Sequence, residues 1–300
     1  MTIPTYQKDG RLPLSQIYSA LRKLDNTVWA RKTICKQHVR IGSCNEQLPI
    51  YGFMTKNKGA ALWLIAGIHG EEPAGSNAIV KNIEWLSSLG KRRPIVVLPL
   101  CNPSGYRRDW RYPKAKKIYP NKVMKSVGDA DHVLEDVNNP CTSRQKKAIC
   151  SEAVAIAGFV LSVSKTHKLQ LVIDLHEDKY CDKAYVYSQG RLGARDRVAR
   201  KIVSIINQHD MPLMQCGATC FAEMISNGII EKVRDGSLDE LLASDQIIVN
   251  GNIERGPGAK TVVVVETSVE SFSLTQRIAC HSDIILSVAQ LYDLSLRAET

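Results

Sequence analysis

Residues 60–75 read AALWLIAGIHGEEPAG. The run AALWLIAGI at 60–68 has strand length and no polar alternation, which marks a strand buried on both faces. It stops at His69, and Pro73 stands where the first turn of a helix tolerates a missing N–H. The pattern predicts a helix from Glu72 to Leu89 that ends at Gly90. A strand, a sharp turn and a helix in this order are the opening of an α/β unit, and the turn carries His69 and Glu72.

The same strand signal returns in PIVVLPLC at 94–101, LQLVIDLH at 169–176 and TVVVVE at 261–266, with a weaker one in AYVYS at 184–188. Between these runs, apolar residues Ile149, Ala153, Ile156, Val160 and Val163 recur at helical spacing and predict a helix from Arg144 to about Lys165. Further helices are expected over 14–24, 191–208 and 274–294, and a hairpin over 37–43 and 47–55. Residues 102–142 lack periodicity and read as a long functional loop, and 216–259 read as a mixed, turn-rich stretch. Alternating buried strands and helices place helices on both faces of a largely parallel sheet. With no repeat, low-complexity tract or linker, residues 1–300 are expected to be one domain, with a core of about 37–295 and an amino-terminal extension over 1–36.

Forty Lys and Arg against 30 Asp and Glu give a charge of +10, with much of the surplus between Arg107 and Lys125. No nucleic-acid-binding motif accompanies it, so an anionic substrate or transition state is the expected partner and nucleic acid is not. No apolar stretch approaches the ~18 residues of a membrane span, and no leader is visible, so no membrane partner and a cytoplasmic location are expected. Nine cysteines in no framework spacing are expected to be free thiols, Cys216 and Cys220 included.

His176 ends the strand 169–176 and Glu266 ends the strand 261–266, as His69 and Glu72 follow the strand 60–68. Ligands of an open parallel sheet bind beyond the carboxyl ends of its strands, which brings these four residues to one site. Two histidines and a glutamate leave a fourth position for water, the arrangement of catalytic rather than structural zinc. Zinc, one ion per chain, is therefore expected on His69, Glu72 and His176. Glu266 is expected to be the general base, because an acid closing an apolar strand is desolvated and its pKa raised. Glu177 or Asp178 is expected to orient the His176 imidazole.

The segments GIHGEEPAG (67–75), NPSGYRRDWR (102–111), DLH (174–176) and VVVVET (262–267) resemble the zinc carboxypeptidases, the M14 metallopeptidases, in order and approximate spacing. The resemblance implies a three-layer α/β/α sandwich on a mixed sheet of about eight strands, with the zinc ligands and base already named. It also implies that an arginine of the Arg108-Asp-Trp-Arg111 run stabilises the oxyanion, Arg111 being the candidate and Arg107 and Arg108 the alternatives. Asn102, Arg107, Arg108, Asp131 and His132 are expected beside the substrate.

Two departures from that family bear on the substrate. Asp131 and His132 stand where an Asn-Arg pair would grip a terminal carboxylate, and no tyrosine occurs between Tyr187 and Tyr292. The expected function is thus amide hydrolysis by a metal-activated water on an unusual peptide, such as a cell-wall fragment. The alternative is an N-acyl amino acid deacylase of the aspartoacylase and succinylglutamate desuccinylase type, which shares the HxxE pair. Those relatives commonly add a β-rich region, for which the 34 residues after Glu266 are expected to be too few. A third reading is an inactive zinc-binding module.

Overall fold

A computed structural model describes residues 4–41, 44–113, 150–219, 222–234, 236–249 and 252–297. Its strands are β1 (Trp29–Ile41), β2 (Cys44–Thr55), β3 (Gly59–Ala66), β4 (Ile95–Leu98), β5 (His167–Asp178) and β6 (Tyr185–Ser188), then β7 (Cys216–Ala218), β8 (Met224–Ser226), β9 (Ile229–Glu231), β10 (Gln246–Val249), β11 (Asn252–Arg255) and β12 (Val262–Ser268). The helices are α1 (Leu14–Leu21), α2 (Pro73–Lys81), α3 (Ile83–Gly90), α4 (Pro103–Arg108), α5 (Ser151–Val163), α6 (Arg197–Gln208), α7 (Leu238–Ala243), α8 (Leu274–Leu286) and α9 (Val288–Arg297).

Ten strands form one mixed sheet in the order β1-β2-β4-β3-β5-β12-β6-β9-β8-β7, and β10 and β11 pair separately. The centre, β4-β3-β5-β12, is parallel, and β12 pairs antiparallel with β6. This is the α/β class with helices on both faces, as expected. The sheet's ten strands come close to the eight or so that the resemblance implies, and three of them, β7, β8 and β9, are only three residues long.

Strand alternation sorts the core into two layers. Leu62 and Leu64 of β3, Ile173 and Leu175 of β5, and Val263 and Val265 of β12 pack with α1, α2, α3, α6, α8 and α9. Trp63 and Ile65, Val172 and Val262 face α5 and α7 on the other side. Side chains of β5 and β12 that share the second parity, among them Asp174, His176 and Glu266, therefore project on the α5 and α7 face.

Two expected helices are each broken once. Asn82 leaves helical geometry between α2 and α3, where its side-chain amide donates to the Ala78 carbonyl at 2.8 Å in place of the backbone pattern. Ser287 separates α8 from α9. The loop at 102–113 contains a helix that the sequence reading left out: α4 is capped by Asn102, whose side chain accepts from Gly105 N. The start of the helix expected over 144–165 lies outside the described residues. Among those residues Cys35, Cys101, Cys150, Cys181, Cys216 and Cys280 are free thiols, and Cys220 is not described. No helix among them is long and apolar enough to cross a membrane.

Candidate metal centre

The turn between β3 and α2 delivers His69 and Glu72, and the end of β5 delivers His176. The His69 Nδ1 lies 2.5 Å from one Glu72 carboxylate oxygen, and the His176 Nδ1 lies 2.9 Å from the other. All three residues are buried, and one ligand atom from each lies within 4.8 Å of the others. The two imidazoles meet edge to face with centroids 5.0 Å apart, and Tyr112 closes the far side of His69 at 5.8 Å.

A buried carboxylate would ordinarily be pushed toward its neutral form, but His69 and His176 outweigh burial and hold Glu72 well below the usual range. Burial likewise opposes charge on His176, and Asp174 and Glu72 together overcome it and raise its pKa. The Glu72 carboxylate is thus held ionised between the two imidazoles. Soft-to-borderline imidazole nitrogen with carboxylate oxygen is a donor set that suits zinc, and the residues fit such an ion.

The acid that orients His176 is neither Glu177 nor Asp178. The Asp174 carboxylate lies 3.2 Å from His176 Nε2, because residues two apart on β5 share a face. Glu177 points to the opposite face, where it accepts from Ala74 N at 2.7 Å and pairs with Arg277 at 2.5 Å. Asp178 accepts from the Tyr185 hydroxyl at 2.7 Å. The period-two spacing of Asp174 and His176 was the available signal.

Glu266 lies beside His176 in the parallel register of β12 on β5, and beside Tyr185 of β6 on its other flank. Burial raises its pKa well above the ordinary value, and the charges of Glu72 and Asp178 add to this while His176 and Arg111 oppose it.

The turn after β4 presents the cations. Arg111 Nη1 donates to Glu72 at 2.8 Å and lies 3.6 Å from Glu71. Its carbonyl accepts from Gly70 N at 3.1 Å and from the Asn102 side chain at 2.8 Å, so the backbone at Arg111 is tied to the metal-ligand turn. Asn102 is buried and spends both ends of its amide on the chain. Arg107 is buried against Glu46, and Arg108 stacks on Trp110 and donates to Ser104 and the Pro113 carbonyl. Asp131 and His132 lie outside the described residues. Lys179, paired with Glu71, is a further cation near the cluster that the sequence reading did not single out.

A sequence profile described as Succinylglutamate desuccinylase/Aspartoacylase catalytic domain matches residues 58–218, more than half of the chain. A search of curated protein sequences returns no match. Among solved structures, a candidate metallopeptidase from Shewanella amazonensis SB2B aligns with a TM-score of 0.67 and 20% identity over 93% of each chain. The metallo-carboxypeptidase from Burkholderia cenocepacia aligns at 0.56 with 10% identity, over 96% of this chain and 70% of that one. Carboxypeptidase A from Helicoverpa armigera aligns at 0.58 with 10% identity, over 95% and 72%. At these identities the likeness is one of fold.

Proposed function

Because this chain belongs to the succinylglutamate desuccinylase/aspartoacylase catalytic-domain family, we propose that it is a zinc-dependent hydrolase of an amide bond. The observation that carries the proposal is the buried His69–Glu72–His176 cluster at the strand ends, with the desolvated Glu266 on the adjacent strand. Bound there, zinc would polarise the scissile carbonyl and lower the pKa of an attacking water. Glu266 would serve as the base that takes a proton from the attacking water and hands it to the leaving nitrogen, and a divalent ion at the cluster would favour its ionised form. Arg111 offers its guanidinium to the oxygen that gains negative charge. Glu72 holds Arg111 toward the cluster in the meantime.

The family favours an N-acyl amino acid as substrate, and a peptide amide is the alternative class. Arg107 and Arg108 pair with Glu46 and Ser104, whereas Arg111 and Lys179 pair with Glu72 and Glu71 of the ligand turn itself, which supports the latter two as the cations beside the substrate. Residues 1–300 are proposed as one domain. Trp29 onward already runs in the sheet, and Leu14, Ile17 and Leu21 lie in the core.

Elemental analysis of wild type and His69→Ala, beside a hydrolysis screen of N-acyl amino acids and peptides, tests the proposal. About one zinc per chain, lost in the variant, with chelator-sensitive cleavage is the expected result. Wild-type protein that takes up no zinc on supplementation overturns it.

A further inference from the structure

The amino-terminal segment before α1 reaches the site through a single buried cation. Arg11 is 1% exposed although it is fully charged at any physiological pH. Its Nη1 donates to the Gly70 carbonyl at 3.0 Å and to the Tyr106 carbonyl at 2.7 Å. Its Nη2 pairs with Asp9 at 2.5 Å and with Asp109 at 2.6 Å, and its Nε lies 2.9 Å from Asp9. The guanidinium lies between the rings of Tyr6 and Tyr106, about 5 Å from each centroid.

Gly70 belongs to the turn that carries His69 and Glu72, and Tyr106 and Asp109 belong to the turn that carries Arg111. One side chain thus bridges the two turns. They touch at the backbone: a Cβ on Gly70 would fall 2.1 Å from the Gly105 carbonyl carbon and the Tyr106 nitrogen. Asp109 adopts a left-handed conformation at φ 57°, which residues other than glycine, asparagine and aspartate rarely take and which aims its carboxylate at Arg11. Neighbouring bonds repeat the connection. Tyr6 N donates to the Arg107 carbonyl at 2.8 Å, and the Tyr106 hydroxyl donates to the Leu12 carbonyl at 2.8 Å.

We propose that Arg11 is a positioning residue: it fixes the ligand turn at 69–72 against the turn at 102–111, and thereby sets the spacing between the His69–Glu72–His176 cluster and Arg111. It touches neither substrate nor ligand atoms. The catalytic part of this inference rests on the hydrolase reading; the metal-binding part does not. Two carbonyls and two carboxylates held by one planar guanidinium cannot be served together by one ammonium, so lysine at this position keeps the charge and loses the bridge.

The test compares wild type, Arg11→Met and Arg11→Lys at 20 °C, well below unfolding as checked by circular dichroism. It measures the zinc dissociation constant by chelator competition and, on zinc-loaded protein, kcat and KM for an amide found in the screen. The expected result is zinc affinity weakened about tenfold or more in both variants, as for other groups that orient metal ligands. On saturated protein kcat falls about tenfold, with KM changed less. Zinc affinity and kcat within twofold of wild type in a folded variant overturn the proposal and leave Arg11 a stabilising residue only. If Arg11→Met does not fold, Arg11→Lys decides by the same criterion. If the wild type cleaves nothing, the hydrolase reading fails while the zinc affinities still decide the role of Arg11.

Discussion

Glu266 lies in register beside His176 and Arg111 donates to Glu72, and their substitutions should separate. Glu266→Gln keeps the shape and hydrogen-bonding reach of the side chain but cannot accept the proton. We expect kcat to fall by about 10²–10⁴, with zinc content unchanged in elemental analysis. Arg111→Ala should lower kcat by about 10²-fold, with a smaller effect on KM, because its charge meets an oxygen that becomes negative only during reaction. His281 offers a test read through stability rather than turnover. It is fully buried on α8, 3.1 Å from the Thr267 hydroxyl, and burial with the nearby Arg277 and His176 pushes its pKa down to about 3. The unfolded chain binds a proton there near pH 6.5 and the folded chain does not. Its contribution is therefore intact above about pH 6.5 and is lost as pH falls toward 3, by about 1.4 kcal/mol per pH unit within that window. Denaturant titrations of wild type and His281→Gln from pH 7 to pH 5 should show the variant losing less stability over the range.

Among the elements, the two turns govern the site more than any helix or strand does. α4 is only six residues long, and it is held by Asn102, which caps it and ties the Arg111 carbonyl in place. Asn102→Ala should cost about 1–2 kcal/mol in denaturant unfolding and should lower kcat as Arg111 loses its anchor. Gly70→Ala should be more severe for the metal. The added carbon collides with backbone, which cannot swing aside as a side chain can, so the turns must part. Zinc content after dialysis should fall well below that of wild type while the circular dichroism spectrum is kept.

Across the molecule, the site links the turn after β3 to the end of β5, which are also joined through their shared core and ladder. A metal that binds the folded chain and not the unfolded one stabilises by mass action, about 2.7 kcal/mol at a hundredfold excess over its dissociation constant. Removing zinc with a chelator should therefore lower the melting temperature of wild type by roughly 5–10 °C. His69→Ala should show no such response. The central strands themselves are fully buried and need no metal to cohere, so the chelated protein should stay folded at 25 °C.

The long apolar runs that became β3, β5 and β12 were legible because a strand buried on both faces leaves a signal in the chain itself, and each run ended on a residue of the site. His69, Glu72, His176 and Glu266 could be read for that reason. The shorter elements could not: β7, β8 and β9 span three residues each, less than two periods of a strand, and α4 is too short to show helical spacing. Period two sets Glu177 on the other face from His176, but it could not choose between Asp174 and Asp178, which share that face; Tyr185 from β6 takes Asp178 and leaves Asp174 to His176. Arg11 lies 59 residues from Gly70 and 95 from Tyr106, and nothing local marks it as more than a surface arginine. Local patterning determined where strands end and which chemistry gathers there. The partners that orient that chemistry were decided by the tertiary fold, because contacts between distant turns depend on how the layers pack.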